Sequence, residues 1–139
     1  NSEDGEFNIN SESGNIYITT LNNFNIANIK NAFGDVSLND SSSTKFNIDS
    51  STGNTHINDL NNNSIESISC KITTGNINAK NINASKLISL EARFGNIYAD
   101  ISDKKDNYSS SGNTYYSKSG SKIILIKTEH GDTRTNFIN

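Results

Sequence analysis

The sequence predicts an all-β fold, a single-domain parallel β-solenoid, and two observations support this prediction. A short Gly-Asn or Gly-Asp motif recurs along the chain at nearly constant spacing, and apolar residues alternate with polar ones on both sides of it. A repeat of about 20 residues is typical of solenoids, and an apolar period of two is typical of half-buried strands. The seven copies of the motif predict about seven coils of roughly 20 residues each.

The motif glycines define the repeat, since successive glycines lie 20, 19, 22, 20, 17 and 19 residues apart. Asn or Asp always follows, and these two residue types tolerate left-handed backbone geometry best after glycine itself. We expect each pair to form a corner, with the stacked corner side chains hydrogen-bonded in a column. The predicted corner residues are Gly14, Asn15, Gly34, Asp35, Gly53, Asn54, Gly75, Asn76, Gly95, Asn96, Gly112, Asn113, Gly131 and Asp132.

Each coil is expected to contain two strands, one on each side of its corner. The second and fourth residues after Gly95 are Ile97 and Ala99, and the seventh and fifth residues before it are Ile88 and Leu90. Other coils repeat this pattern, which predicts an inward-facing apolar column. A two-residue hairpin is the competing interpretation of the motif, although hairpin turns favour Asn-Gly over Gly-Asn.

The predicted domain covers all 139 residues. Residues 1–13 are expected to form an N-terminal cap or partial coil, residues 14–135 the repeat coils, and residues 136–139 the end of the last coil. The coil that starts at Gly95 is irregular, because Lys105 and Asn107 stand where other coils have an apolar pair. We expect its second strand to be weak.

Composition and charge restrict the classes of partner. The chain has 25 Asn residues, no Pro, Met or Trp, and a net charge of −3 from 12 basic and 15 acidic side chains. The basic residues form no patch that would neutralise phosphates, so no nucleic-acid partner is expected. The run Asp103–Asp106 is self-compensating and is expected to be a solvated loop. No apolar stretch is long enough to span a membrane, so any signal or anchor is expected to have been removed upstream.

The sequence predicts no enzymatic activity, no metal site and no cofactor. His56 and His130 lie 74 residues apart, on different coils, and no Asp or Glu recurs at one outward position of neighbouring coils. The corner column is mostly neutral Asn, which favours a structural ladder over a calcium site. Cys70 occupies an inward position and is expected to be a small buried hydrophobe rather than a reactive thiol.

One candidate binding strip follows from the predicted stacking. Tyr98, Tyr115 and Arg134 each lie three residues after a motif glycine, on three successive predicted coils. With strands about 4.8 Å apart, they would form an outward strip roughly 10 Å long. Two aromatic faces and a guanidinium are suited to stacking sugar rings or gripping a peptide. The alternative is that these side chains only stabilise the sheet through cross-strand contacts.

The serial Ser/Thr-Gly-Asn/Asp-Ile pattern, as in Ser13-Gly14-Asn15-Ile16, resembles an adhesin-like family of bacterial β-strand-repeat envelope proteins. That resemblance implies a right-handed β-helix without catalytic residues, extracytoplasmic and either at the cell surface or membrane-anchored. It implies an envelope glycan or protein as partner. Bactofilins, a second β-helical family, have similar turns. Similarity to them implies the alternative of a structural scaffold that self-associates end to end. A carbohydrate-active β-helix enzyme is the least favoured interpretation.

Overall fold

The computed structural model describes residues 5–19, 24–61 and 64–138. These residues form fourteen β-strands and a single 3₁₀ turn, Lys105–Asn107. The strands are β1 (Glu6–Ser13), β2 (Ile16–Thr19), β3 (Phe24–Phe33), β4 (Val36–Asn39), β5 (Ser43–Thr52), β6 (Thr55–Asn58), β7 (Ser67–Thr74), β8 (Ile77–Ile82), β9 (Leu87–Phe94), β10 (Ile97–Ser102), β11 (Tyr108–Ser111), β12 (Thr114–Ser117), β13 (Ile123–His130) and β14 (Thr133–Ile138).

Two sheets of parallel strands form the walls of the fold. Strands β1, β3, β5, β7, β9 and β13 lie side by side in the first sheet, and β2, β4, β6, β8, β10 and β14 lie side by side in the second. The chain alternates between the sheets as it winds, so the predicted parallel β-solenoid is confirmed. Each sheet has six parallel strands, so the number of coils is lower than the predicted seven.

The core lies between the two sheets and follows the alternation read from the sequence. Inward-facing Ile88, Leu90 and Ile97 are fully buried, as is Phe46 two coils earlier, while Ala99 is 1% exposed. Because side chains in a strand alternate between its two faces, the narrow inner column needs few apolar residues. This explains how a chain with only 32% hydrophobic residues folds.

The outer face of the first sheet carries a column of alternating charge. Lys30, Asp49, Lys71, Glu91 and Lys127 are register partners on five successive strands. Opposite charges that face each other across strands stabilise a sheet by roughly 0.2–1 kcal/mol per pair. If one strand of the stack were skipped, like charges would become neighbours. The alternating column therefore favours the observed stacking order.

Asparagine amides form further columns outside the core. Asn28 donates from Nδ2 to Asn8 Oδ1 at 2.8 Å, and Asn47 donates to Asn28 Oδ1 at 2.9 Å. On the second sheet, Asn58 donates to Asn39 Oδ1 at 2.8 Å. An amide can both donate and accept along the stack, as Asn28 does, which gives these Asn residues a structural role.

The predicted corner at Gly112 and Asn113 is wrong. These two residues form the tip of an antiparallel hairpin between β11 and β12, and β12 pairs antiparallel with β13. Gly112 has a φ of +61° and Asn113 is not in the positive region, which fits a two-residue turn with Gly first. The competing hairpin interpretation therefore applies at this one copy of the motif.

The hairpin belongs to an insertion into one coil. Ile101 pairs with Ile82, and Ile123 pairs with Leu87. Only residues 83–86 separate Ile82 from Leu87, whereas 21 residues, 102–122, separate Ile101 from Ile123. The chain therefore leaves the solenoid for about one coil length and then returns.

The weak second strand expected near residue 105 has a different form in the structure. Lys105 and Asn107 lie in the 3₁₀ turn, outside the two parallel stacks. Residues 5–13 contain β1, a strand of the first coil, and residues 136–138 belong to β14. Residues 1–4 and 139 of the predicted termini lie outside the described residues. No helix in the described parts of the chain is long and apolar enough to cross a membrane.

Six corner glycines stack on one another at the junction of the sheets. A Cβ built on Gly34, Gly53, Gly75, Gly95 or Gly131 would lie only 1.7–2.1 Å from the carbonyl oxygen of the preceding corner glycine. Their φ angles are between +127° and +152°. Both the contact and the backbone geometry exclude a side chain at these positions.

Replacing a stacked corner glycine should therefore cost much more than replacing Gly14, which has positive φ but open space around it. Both Gly75→Ala and Gly14→Ala add backbone strain of about 1–3 kcal/mol. Only Gly75→Ala places a Cβ 1.8 Å from the Gly53 oxygen. We expect Gly75→Ala to lower the free energy of unfolding by at least about 3 kcal/mol more than Gly14→Ala. Equal losses in urea denaturation would contradict the stacked-corner interpretation.

Candidate functional site

The corner residues form a continuous ladder along the stack. Asn15 Oδ1 accepts a hydrogen bond from the backbone N–H of Asp35 at 2.9 Å, and Asp35 Oδ1 accepts one from the N–H of Asn54 at the same distance. The pattern continues upward with distances of 2.8–2.9 Å through the N–H groups of Asn76, Asn96 and Asp132. Asn and Asp share the oxygen acceptor that this position needs. The ladder therefore has a structural role.

A second corner column was missed in the sequence. Asp40, Asp59 and Asn81 have φ angles of 46°, 60° and 56°, in the left-handed region. Asn81 Nδ2 donates to Asp59 Oδ1 at 2.9 Å. Each of these residues lies six positions after a corner glycine, so a search for Asn and Asp at a fixed offset would have found the column.

Two of the three residues of the predicted binding strip lie together in the structure. Tyr98 and Arg134 are register partners on β10 and β14, and the Arg134 guanidinium carbon lies 6.0 Å from the centre of the Tyr98 ring. Tyr98 is 41% exposed. Tyr115 does not join them, because it lies on β12 of the hairpin and its ring packs at 5.2 Å against Phe137. Its assignment to the strip is wrong, for the same reason that Gly112 is not a corner.

A groove lies between the Tyr98–Arg134 pair and the tip of the hairpin. It has a volume of about 500 Å³, and Asn113, Asp132 and Thr133 also line it. Thr133 Oγ1 donates to Asn113 Oδ1 at 3.3 Å, which links the last corner to the hairpin tip. The groove thus combines an aromatic ring, a guanidinium, a carboxylate and an amide. This set of groups suits a polar ligand with a flat face.

The sequence model of one protein family, Toastrack DUF4097, matches residues 2–136. The chain belongs to the Toastrack family. The DUF4097 designation marks a domain of unknown function, so the match supports the domain type and not the adhesin specificity that the sequence suggested. A comparison with curated proteins found no match, and a comparison with solved structures found none either.

The hairpin of this Toastrack domain closes the C-terminal end of its core. The rings of Tyr108 and Tyr115 pack against Phe137 on β14 with centroid distances of 5.0 and 5.2 Å. Tyr108 is 8% exposed. Tyr108 belongs to the buried core, and Tyr115 and Phe137 pack against that core.

A polar cluster, which we call the latch, fixes the base of the hairpin and consists of Asn83, Asp103, Tyr108 and Lys122. The Tyr108 hydroxyl donates to Asp103 Oδ2 at 2.6 Å. Lys122 Nζ lies 3.9 Å from that same oxygen and also donates to Asn83 Oδ1. The Lys122 side chain is only 8% exposed. Asp103 was expected in a solvated loop, but its carboxylate joins the two ends of the insertion.

Burial and charge shift the pKa values of the latch. Burial alone raises the pKa of Asp103, but hydrogen bonds from Tyr108, the Lys104 N–H and Asn107, together with the charge of Lys122, hold it below its usual value. Burial raises the pKa of Tyr108, and the bond to the Asp103 carboxylate raises it further. Burial lowers the pKa of Lys122, although Asp103 opposes this. The ionised carboxylate is therefore the form that holds the latch together.

The remaining titratable candidates do not converge on a site. Burial raises the pKa of the Cys70 thiol to about 12, so its thiolate is scarce at neutral pH. His130 stacks on Phe94 with a centroid distance of 4.9 Å, and His56 lies on β6. Among residues 5–19, 24–61 and 64–138, no group of three or more His, Cys, Asp and Glu side chains is arranged to hold a metal ion.

The corner ladder should depend on the oxygen acceptor and not on charge. Asn76→Ala removes the acceptor of the half-buried Asn96 N–H, and we expect it to cost about 1–3 kcal/mol of stability. Asn76→Asp keeps the oxygen and should change the free energy of unfolding by less than about 0.5 kcal/mol. Thermal denaturation of both variants tests this, and a harmless Asn76→Ala would contradict it.

The latch should open in acid. Because the folded-state pKa of Asp103 is lowered, its contribution to stability is present above its unfolded-state pKa of about 4 and is lost as the pH falls through the lowered value. Amide hydrogen exchange of residues 108–117, measured relative to β7, should accelerate as the pH drops below 4. Asp103→Asn should accelerate the same amides at neutral pH and flatten their pH dependence. Unchanged relative protection of the wild-type hairpin in acid would count against this role.

Proposed function

We propose that this Toastrack domain is a non-enzymatic binding module of the cell envelope, working outside the cytoplasm, that contacts a glycan or protein through the groove beside Tyr98 and Arg134. The observation that carries the proposal is the set of groups gathered in one open groove. A half-exposed ring offers a stacking face, and Arg134, Asp132 and Asn113 offer donors and acceptors that orient a polar ligand.

The composition of the groove supports binding rather than catalysis. Asp132 is the only carboxylate among its described lining residues, and no histidine lines it. Hydrolysis of a glycosidic bond ordinarily needs two carboxyl groups on opposite sides of the bond. A single carboxylate beside a guanidinium is suited to hydrogen bonding. The location outside the cytoplasm rests on the resemblance to envelope β-strand-repeat proteins.

Removal of the Tyr98–Arg134 pair should weaken binding without unfolding the domain. We expect Tyr98→Ala combined with Arg134→Ala to weaken cosedimentation with insoluble cell-wall peptidoglycan at least about tenfold, equivalent to about 1.4 kcal/mol. Tyr17→Ala is the matched control, because Tyr17 occupies the same outward column on β2 and is 72% exposed.

The same variants should be tested on whole envelope fragments, since the proposed partners include proteins as well as glycans. Loss of binding in the double variant, with retention by Tyr17→Ala, supports the groove. A folded double variant that binds as well as wild type on both materials would remove the groove from consideration.

A scaffold that assembles end to end is the second candidate, and one observation favours it. The corner ladder has a direction, because each side chain accepts a hydrogen bond from the coil above it. Its two ends are therefore complementary. At the same end of the solenoid, the hairpin pairs with the edge of β13 and occupies the place of a further first-sheet strand, so we favour the binding module for this chain.

A further inference from the structure

The two sheets end at different levels at the C-terminal end of the solenoid. Beyond β13, the first sheet continues into β12 and β11, whereas the second sheet ends at β14 among the described strands. With strands about 4.8 Å apart, the hairpin extends roughly 10 Å beyond β13. It occupies the position where the first-sheet strand of another coil would lie.

The free ends of the corner ladder match each other. Among the described residues, none accepts the Asn15 N–H and none donates to the Asp132 carboxylate. Within the stack, the same N–H and the same side-chain oxygen meet at 2.8–2.9 Å at every step. A second copy placed on the C-terminal end would therefore extend the ladder by one bond of the kind already present.

The strands of the two ends match as well. If the register between successive coils continued, Phe7 and Ile9 on β1 of a second copy would face Ile124 and Ile126 on β13. Phe7 and Ile9 are only partly buried in the single chain, and Ile124 and Ile126 are fully buried beside the hairpin. Apolar side chains would thus meet apolar side chains inside a continued core.

We propose that the C-terminal end of the solenoid is a docking surface for the N-terminal end of a second copy of this chain, and that the hairpin Tyr108–Ser117 keeps this surface closed. Strand β12 pairs with the edge of β13 that the second copy would need. Tyr115 covers the core beside Phe137, and the latch holds the hairpin in place. The proposal does not rest on ligand binding at the groove, although Asp132 belongs to both surfaces.

Two variants of the full chain open this surface in different ways. The first replaces residues 103–122 with Ala-Ser-Lys, a copy of residues 84–86, which make the same connection one coil earlier. The second replaces residues 109–116 with Asn-Gly. Tyr108 and Ser117 are register partners, so the Asn-Gly turn closes a short hairpin between them and keeps the latch.

We expect the wild-type chain to remain monomeric and both variants to form linear assemblies that lengthen with concentration. Sedimentation velocity and electron microscopy measure this, with circular dichroism as the check on folding. A folded variant that stays monomeric at every concentration at which wild type is monomeric would overturn the proposal. Failure of both variants to fold would also overturn it, because the docking surface requires a solenoid that stands without the hairpin.

Adding wild-type chain to the assemblies of either variant distinguishes ordered stacking from non-specific aggregation. It keeps the N-terminal end and a closed C-terminal end, so it should join the assemblies and stop their growth. The Gly14→Ala variant, which keeps the hairpin, should neither join the assemblies nor stop their growth. In the single chain, the Cβ added at position 14 has open space around it. Once stacked on another copy, position 14 would resemble Gly131, where a Cβ would lie 2.0 Å from the carbonyl oxygen of the corner glycine one coil below. Assemblies that wild type does not shorten, or that both proteins shorten equally, would overturn the proposal.

Discussion

The contact between each corner glycine and the glycine one coil below it is the constraint on which the rest of the structure depends. A Cβ at the stacked positions would lie 1.7–2.1 Å from a carbonyl oxygen, so the coils approach closely only where both residues lack a side chain. The next residue then donates its N–H to the Asn or Asp oxygen below. Because a strand of each sheet begins or ends at this corner, one contact fixes the register of both sheets.

Periodicity alone predicted the parallel solenoid, the two strands per coil and six of the corners, because each is a local pattern repeated in phase. It failed at Gly112, since Ser-Gly-Asn-Thr suits a hairpin turn as well as a corner. The spacings of 17 and 19 residues on either side of Gly112 each resembled a coil, but together they are one coil and an insertion. The difference was visible nearby. Lys105 and Asn107 precede Gly112 where every true corner has an inward pair.

The candidate site was predictable to the extent that it depends on adjacent coils. Tyr98 and Arg134 were expected to share an outward face, and they are direct partners. The predicted position of Tyr115 was wrong, because it was counted from Gly112, which is not a corner. The latch could not have been found, because Asn83, Asp103 and Lys122 meet across 39 residues of sequence and share no periodic position. Charge patterning placed Asp103 in a solvated loop because sequence does not reveal a buried lysine nearby.

A stacked solenoid leaves few places for a partner to bind. Among the described strands, every inner strand is paired on both sides, and only the end strands offer free backbone groups to a new strand. On the outer faces, amide side chains hydrogen-bond to one another within their columns, and opposite charges are neighbours within theirs. At the C-terminal end, the hairpin covers the edge of β13 and presents instead the short, serine-rich strand β11. Its tip also supplies Asn113 to the groove beside Tyr98. The inserted residues therefore act on both available surfaces, because they shape the groove and cover the edge.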